Sequence, residues 1–277
     1  MQDAFSYCAN LVRTADHDRF LSALFAPADR RDALYALYAF NIEVARVREM
    51  AREPLPGEIR LQWWSEVLGG ERSDEASANL VAAALLSALE RYRLPAAKLI
   101  ALVEARRFDL YDEPMATLAD LQAYAASTAA AVIALAARIL GVEAEPAAEG
   151  AGMAYAINGL LQAFPLHAAR HQLYVPTELL ERHQVHVHDV FAGRSSGELN
   201  AALAEMRSLA RRHLVTTHER VKVLPRAALP AFLPVALIRS SLARLERADA
   251  FAPTELSPWR RQWLLWRAAR NPARVAG

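Results

Sequence analysis

Apolar residues in this chain recur at every third or fourth position, and no stretch alternates polar with apolar. A β-strand therefore has no template in it. Glycine numbers only 10 among 277 residues, alanine is very common, and β-branched runs are nearly absent. Ala and Leu lose least on entering a helix, so the chain is expected to be all-α. Apolar residues make up 54% of it, enough to bury a large core. Without a long linker, fixed-period repeat or low-complexity tract, the expectation is one helical domain over residues 1–277.

Proline and glycine supply the punctuation. The expected helices cover Ala4 to Thr14, Pro27 to about Met50, and the segment EIRLQWWSEVL up to Gly69 and Gly70. Others run from Ser73 to Arg91, from Pro95 to Leu110, from a Thr117 cap (with Asp120 in its first turn) to Gly141, and from Pro146 past Gln162. Ser195 or Ser196 opens a long helix to about Val221, and two more cover Ala227 to Arg247 and Pro258 to Arg270. The segment Val185 to Gly197 reads as a mobile loop.

Thirty-two basic and 31 acidic residues leave a net charge of +1. Nucleic-acid binding needs a clustered basic excess, so no nucleic-acid partner is expected. The one cysteine, Cys8, can build neither a disulfide framework nor a cysteine zinc site, and reads as a small buried hydrophobe. The opening MQDAFSYCANLVRTADHDRF lacks the basic-then-apolar pattern of a secretory signal. The longest apolar stretch, Ala125 to Ala137, is shorter than the ~20 residues of a membrane span and reads as a buried helix. The expected location is the cytoplasm, with peripheral contact at the inner face of its membrane.

Several motifs occur in a fixed order. Arg31, Ala33, Leu34, Leu37, Tyr38, Ala39 and Phe40 form a run of the type R-x-A-x-x-A-L-Y-A-F. LQWW follows at Leu61 to Trp64, then RRFDLYDEP, LADLQAYAASTAAAV and NGLLQAFPLHAARHQLYVPTELL. Together they resemble the squalene/phytoene synthase family over nearly the whole chain. The resemblance implies an isoprenoid-synthase-like helical bundle around a central cavity. Within the family, the strings AFNIEVARVRE, IRLQWW, LPAFLPVAL and WLLWR resemble the branch that serves in mitochondria as an assembly factor of respiratory complex I.

The family's chemistry is the condensation of isoprenoid diphosphates. It rests on two aspartate clusters on facing helices, which hold Mg²⁺ against the leaving diphosphate. At the first cluster this chain has Ala45, Arg46 and Glu49. At the second, Gln162 is followed by AFPLHAAR. The pairs Glu49/Glu53, Glu71/Glu75, Asp109/Glu113 and Glu145/Glu149 read as solvated charge at helix ends. The expectation is no catalytic residues, no bound Mg²⁺ or other metal, and a role in complex I assembly through one of its subunits. A prenyltransferase of the squalene or phytoene type is the alternative. Residues expected to line a retained pocket for a lipid or isoprenoid are Tyr38, Asn41, Glu43, Arg46, Glu49, Trp63, Gln162, Arg170 and Tyr174.

The histidines offer weaker patterns. His183, His186, His188 and Asp189 have metal-ligand spacing but lie in a polar segment that reads as solvated loop. His167 and His171 stand four apart with Arg170 between them, which argues against a metal. No nucleophile elbow, P-loop or dinucleotide fingerprint is present. Trp259, Trp263 and Trp266 form one helical stripe flanked by arginines. It suits either a terminal helix docked on the core or a helix that meets a membrane surface or a partner.

Overall fold

A computed structural model of the chain describes residues 1–50 and 53–276. Among these, every regular element is helical and none is a strand. The chain forms two compact units. One comprises residues 1–111, 131–145 and 224–234; the other comprises 112–130, 146–223 and 235–277.

The first unit is organised around the helix Ala28–Ala45. Ten consecutive residues, Ala33 to Ile42, are buried on every side of it. A helix apolar all round belongs at the centre of a core. The helices Gln2–Ala15, Leu80–Tyr92, Ala96–Arg106 and Ala131–Ile139 pack around it. Arg30 donates from Nη1 to the Ile139 carbonyl at 2.8 Å, which satisfies one of the orphan acceptors at that helix end. Lys98 and Glu145 pair at 2.9 Å.

Two helices expected to be continuous are broken in this unit. The expected Pro27-to-Met50 helix stops at Ala45, turns at Arg46 and resumes as Val47–Met50. The expected Ser73-to-Arg91 helix divides at Asn79, whose Oδ1 accepts from the amides of Val81 and Ala82 at 3.0 Å each. An asparagine that can cap restarts the helix rather than sitting inside it. A short helix, His17–Ala23, capped by Asp16, was not foreseen.

In the second unit, Thr117 and Asp120 form the capping box expected of them, opening Leu118–Ala125. The helix then widens into a π-helical turn, Ala126–Ala130. Helix Glu145–Gln162 lies hard against that turn at Gly152 and against helix Gly197–Lys222 at Gly150. Any side chain at either glycine would overlap a neighbour. Ser196 caps the long helix as expected.

The segment read as a mobile loop contains a helix instead, Val187–Phe191, because Val190 is fully buried and anchors it. The apolar stretch at Ala125 to Ala137 belongs to a longer helical run. Leu118–Ile139 and Arg226–Leu245 both reach membrane-crossing length and hydropathy, but 56% and 67% of their apolar windows are buried within the fold.

Candidate functional site

In the first unit, the end of helix Ala28–Ala45 meets helix Pro54–Gly69 around the paired tryptophans. Adjacent residues on a helix face different ways, and the two indoles divide accordingly. Trp64 is fully buried and meets Phe40 edge-to-face, with ring centroids 4.9 Å apart. Trp63 is half-buried and stands over the surface. Between these helices is a cavity of about 440 Å³, lined by Glu43, Val47, Met50, Ile59, Arg60, Trp63 and others. A second, of about 380 Å³, shares Ile59 and Trp63 and is walled by Glu58, Gln62, Glu66, Arg72 and Arg107.

The electrostatics of the first cavity are set by Glu43. Its carboxylate lies 3.5 Å from Arg60 Nη2, and burial pushes its pKa above the usual carboxylate range despite that partner. The second cavity has a closed network. Trp63 Nε1 donates to Glu75 Oε2 at 2.8 Å, Arg72 pairs with Glu75 at 2.8 Å and with Glu66, and Gln62 Nε2 donates to Glu66 at 3.0 Å. The Gln62 amide and Arg72 hold Glu66 below the usual carboxylate range, and the Trp63 indole and Arg72 do the same for Glu75. Arg107 bonds Gln62 at 2.9 Å and pairs with Glu58. Glu75 is exposed, as its spacing implied, and is also bonded to Trp63 and Arg72. Asp109, expected to be solvated, is instead buried and bonded to Arg106 at 3.0 Å.

Of the expected pocket residues, Glu43 and Trp63 line this cavity together. Tyr38 and Asn41 are buried in the same helix, Arg46 is exposed at its C-terminal cap, and Glu49 is exposed on Val47–Met50. The other three belong to the second unit. Gln162 ends helix Glu145–Gln162 and accepts from Asn158 Nδ2 at 3.0 Å. Pro165 opens the short helix Phe164–Ala169, and Arg170 is its exposed C-cap. Tyr174 is buried, with ring centroids 6.0 Å from Tyr124 and 4.6 Å from His167. His171 takes a left-handed conformation, and its ring meets Phe191. His183 pairs with Glu205 at 2.8 Å.

Sequence reasoning missed Arg60, Asn79, Arg107 and Ile59. Only Ile59 left a signal, standing four residues before Trp63 on one helical face.

The sequence model of the squalene/phytoene synthase family matches residues 12–267. The chain belongs to the squalene/phytoene synthase family. Among its relatives is the human NADH dehydrogenase (ubiquinone) complex I assembly factor 6, 29% identical over 88% of this chain and 74% of that protein. The phytoene synthase of Thermus thermophilus is 29% identical over 76% of this chain and 72% of its own. Among solved structures, a dehydrosqualene synthase in complex with a ligand superposes with a TM-score of 0.83 at 15% identity, covering 97% of this chain and 96% of that one. The squalene/phytoene synthase fold thus covers nearly the whole chain.

Proposed function

We propose that this chain is a non-catalytic member of its family that acts in the cytoplasm as an assembly or chaperone-like factor for respiratory complex I, through one of that complex's subunits. The observation that carries this reading is the likeness to complex I assembly factors over most of the chain, found in human and also in Dictyostelium discoideum at 25% identity. The charge at the end of helix Ala28–Ala45 supports it. A Mg²⁺ site needs several oxygen ligands converging on one point. Here Glu43 already faces Arg60, and Arg46 adds a second guanidinium to that helix end. These residues do not fit the family's metal. Removing a single group that stabilises a departing anion costs on the order of 10²–10³ in rate, so a site lacking both clusters would turn over little.

A retained pocket would then hold a lipid or isoprenoid without reaction. Guanidinium pairs directly with carboxylate or phosphate, which suits Arg46 to an anionic head group. Native mass spectrometry of protein from its own cells tests this: co-purifying lipid should disappear in Arg46→Ala.

The deciding experiment is deletion of the gene, with native gels and activity assays of complex I beside hopanoid and carotenoid profiles. Loss of assembled complex I with unchanged terpenoids is expected. Purified protein given farnesyl or geranylgeranyl diphosphate and Mg²⁺ should release no pyrophosphate above a protein-free control. Turnover abolished by Glu49→Ala would favour the prenyltransferase reading, for which the likeness to a phytoene synthase speaks.

A further inference from the structure

Helix Pro258–Arg270 turns its aromatic face away from the protein. Leu264, Leu265 and Ala268 are buried and dock the helix. At 100° per residue, Trp259, Trp263, Trp266 and Arg270 fall on the opposite side. The three indoles are 83%, 52% and 44% exposed, so three of the chain's five tryptophans face solvent on one ridge. Arg267 sits over the Trp263 ring at 4.4 Å and Arg270 over the Trp266 ring at 4.0 Å, which holds both guanidiniums at the height of the indoles. From Ser257 to Gly277 there are five arginines and no acidic side chain.

We propose that this helix is a peripheral membrane contact: it lays Trp259, Trp263 and Trp266 into the head-group layer of an anionic bilayer while Arg260, Arg267 and Arg270 meet lipid phosphates. Indole has an apolar body and one polar N–H, which suits it to that layer. The ridge spans about 10 Å along the helix axis and is strongly charged with little other apolar surface, as in helices that lie in the interface plane. The charge complement is a surface of phosphates, which needs no shaped socket. The contact stands whether or not the protein serves complex I.

The test is sedimentation of the full chain with vesicles of phosphatidylcholine alone or with phosphatidylglycerol added. Binding to the anionic vesicles only, weakened by salt and accompanied by a blue shift of tryptophan emission, is expected. The double variants Trp259→Ala/Trp263→Ala and Arg267→Glu/Arg270→Glu should each weaken binding about tenfold or more. Circular dichroism should stay unchanged and the thermal midpoint should fall only slightly, because Trp259, Trp263 and Arg270 are exposed and Arg267 is half-buried, and Arg267→Lys/Arg270→Lys should retain binding. Failure of the unmodified protein to bind anionic vesicles at low salt would overturn the proposal, as would equal binding by both double variants. A photo-crosslinking side chain at position 259 that captures protein but no lipid in cells would overturn it too, leaving the ridge to an acidic partner.

Discussion

A Cβ placed on Gly152 would stand 2.4 Å from the Cα of Ala130, so two helical backbones touch there with no room for a methyl group. Neither backbone can step aside as a flexible side chain could. Gly152→Ala is expected to destabilise by at least about 1–3 kcal/mol, the usual cost of overpacking. Gly159 lies on the same helix and faces open space, so Gly159→Ala should be neutral or gain up to about 1 kcal/mol. Urea unfolding of the two variants decides; equal effects would show that the close approach is not rigid.

Burial around Glu43 resists the charge of its carboxylate. Its folded pKa lies above the ordinary value, so the native state holds this proton more tightly than the unfolded chain does. The stability contributed by this group is therefore fully present below the ordinary carboxyl range and is lost as pH rises through the raised value. Glu43→Gln keeps an acceptor for Arg60, removes that slope and should raise the thermal midpoint at neutral pH. A lower midpoint for Glu43→Gln would mean that the Arg60 pair outweighs burial.

Cys8 is fully buried, and burial pushes its thiol from 9.0 up to about 12. The unfolded chain ionises first, so stability should fall as pH climbs between these values, by on the order of 4 kcal/mol in total. Cys8→Ala should remove most of that alkaline slope. At neutral pH the native thiol should resist Ellman's reagent and react fully in denaturant.

Asn79 caps helix Leu80–Tyr92 with two backbone bonds. Asn79→Ala should cost about 1 kcal/mol, and Asn79→Ser or Asp much less. Chemical denaturation of the three variants gives the ranking.

What the sequence made legible was local chemistry. Thr117 with Asp120, Ser196 before the long helix, Gly141 at a helix end and Pro258 at a helix start all carry their structural meaning in one or two residues. What it hid depended on distant neighbours. Nothing local marks the π-helical turn at Ala126–Ala130, which lies where Gly152 packs. The histidine-rich segment looks like loop until Val190 is seen to be buried. Periodicity found the tryptophan stripe of Pro258–Arg270 but could not say which face docks, because Leu264 and Leu265 offer a second apolar face. At the candidate site, Trp63 and Glu43 were legible through the family's motifs. Arg60 was not, because its partner lies 17 positions away on another helix.

That arginine fixes the charge balance at this helix end. Arg60 is a cation tethered to the chain: it cannot be chelated, diluted or exchanged, and it already answers the one carboxylate left in this cavity wall, Glu43. Aspartates placed at positions 46 and 49 would add negative charge beside a cation that already has a partner. Losing Arg60 alone would leave the half-buried Glu43 carboxylate without its counter-ion. The dependence is one-sided: Arg60 is more exposed to water than Glu43, so the carboxylate needs its partner more than the guanidinium does.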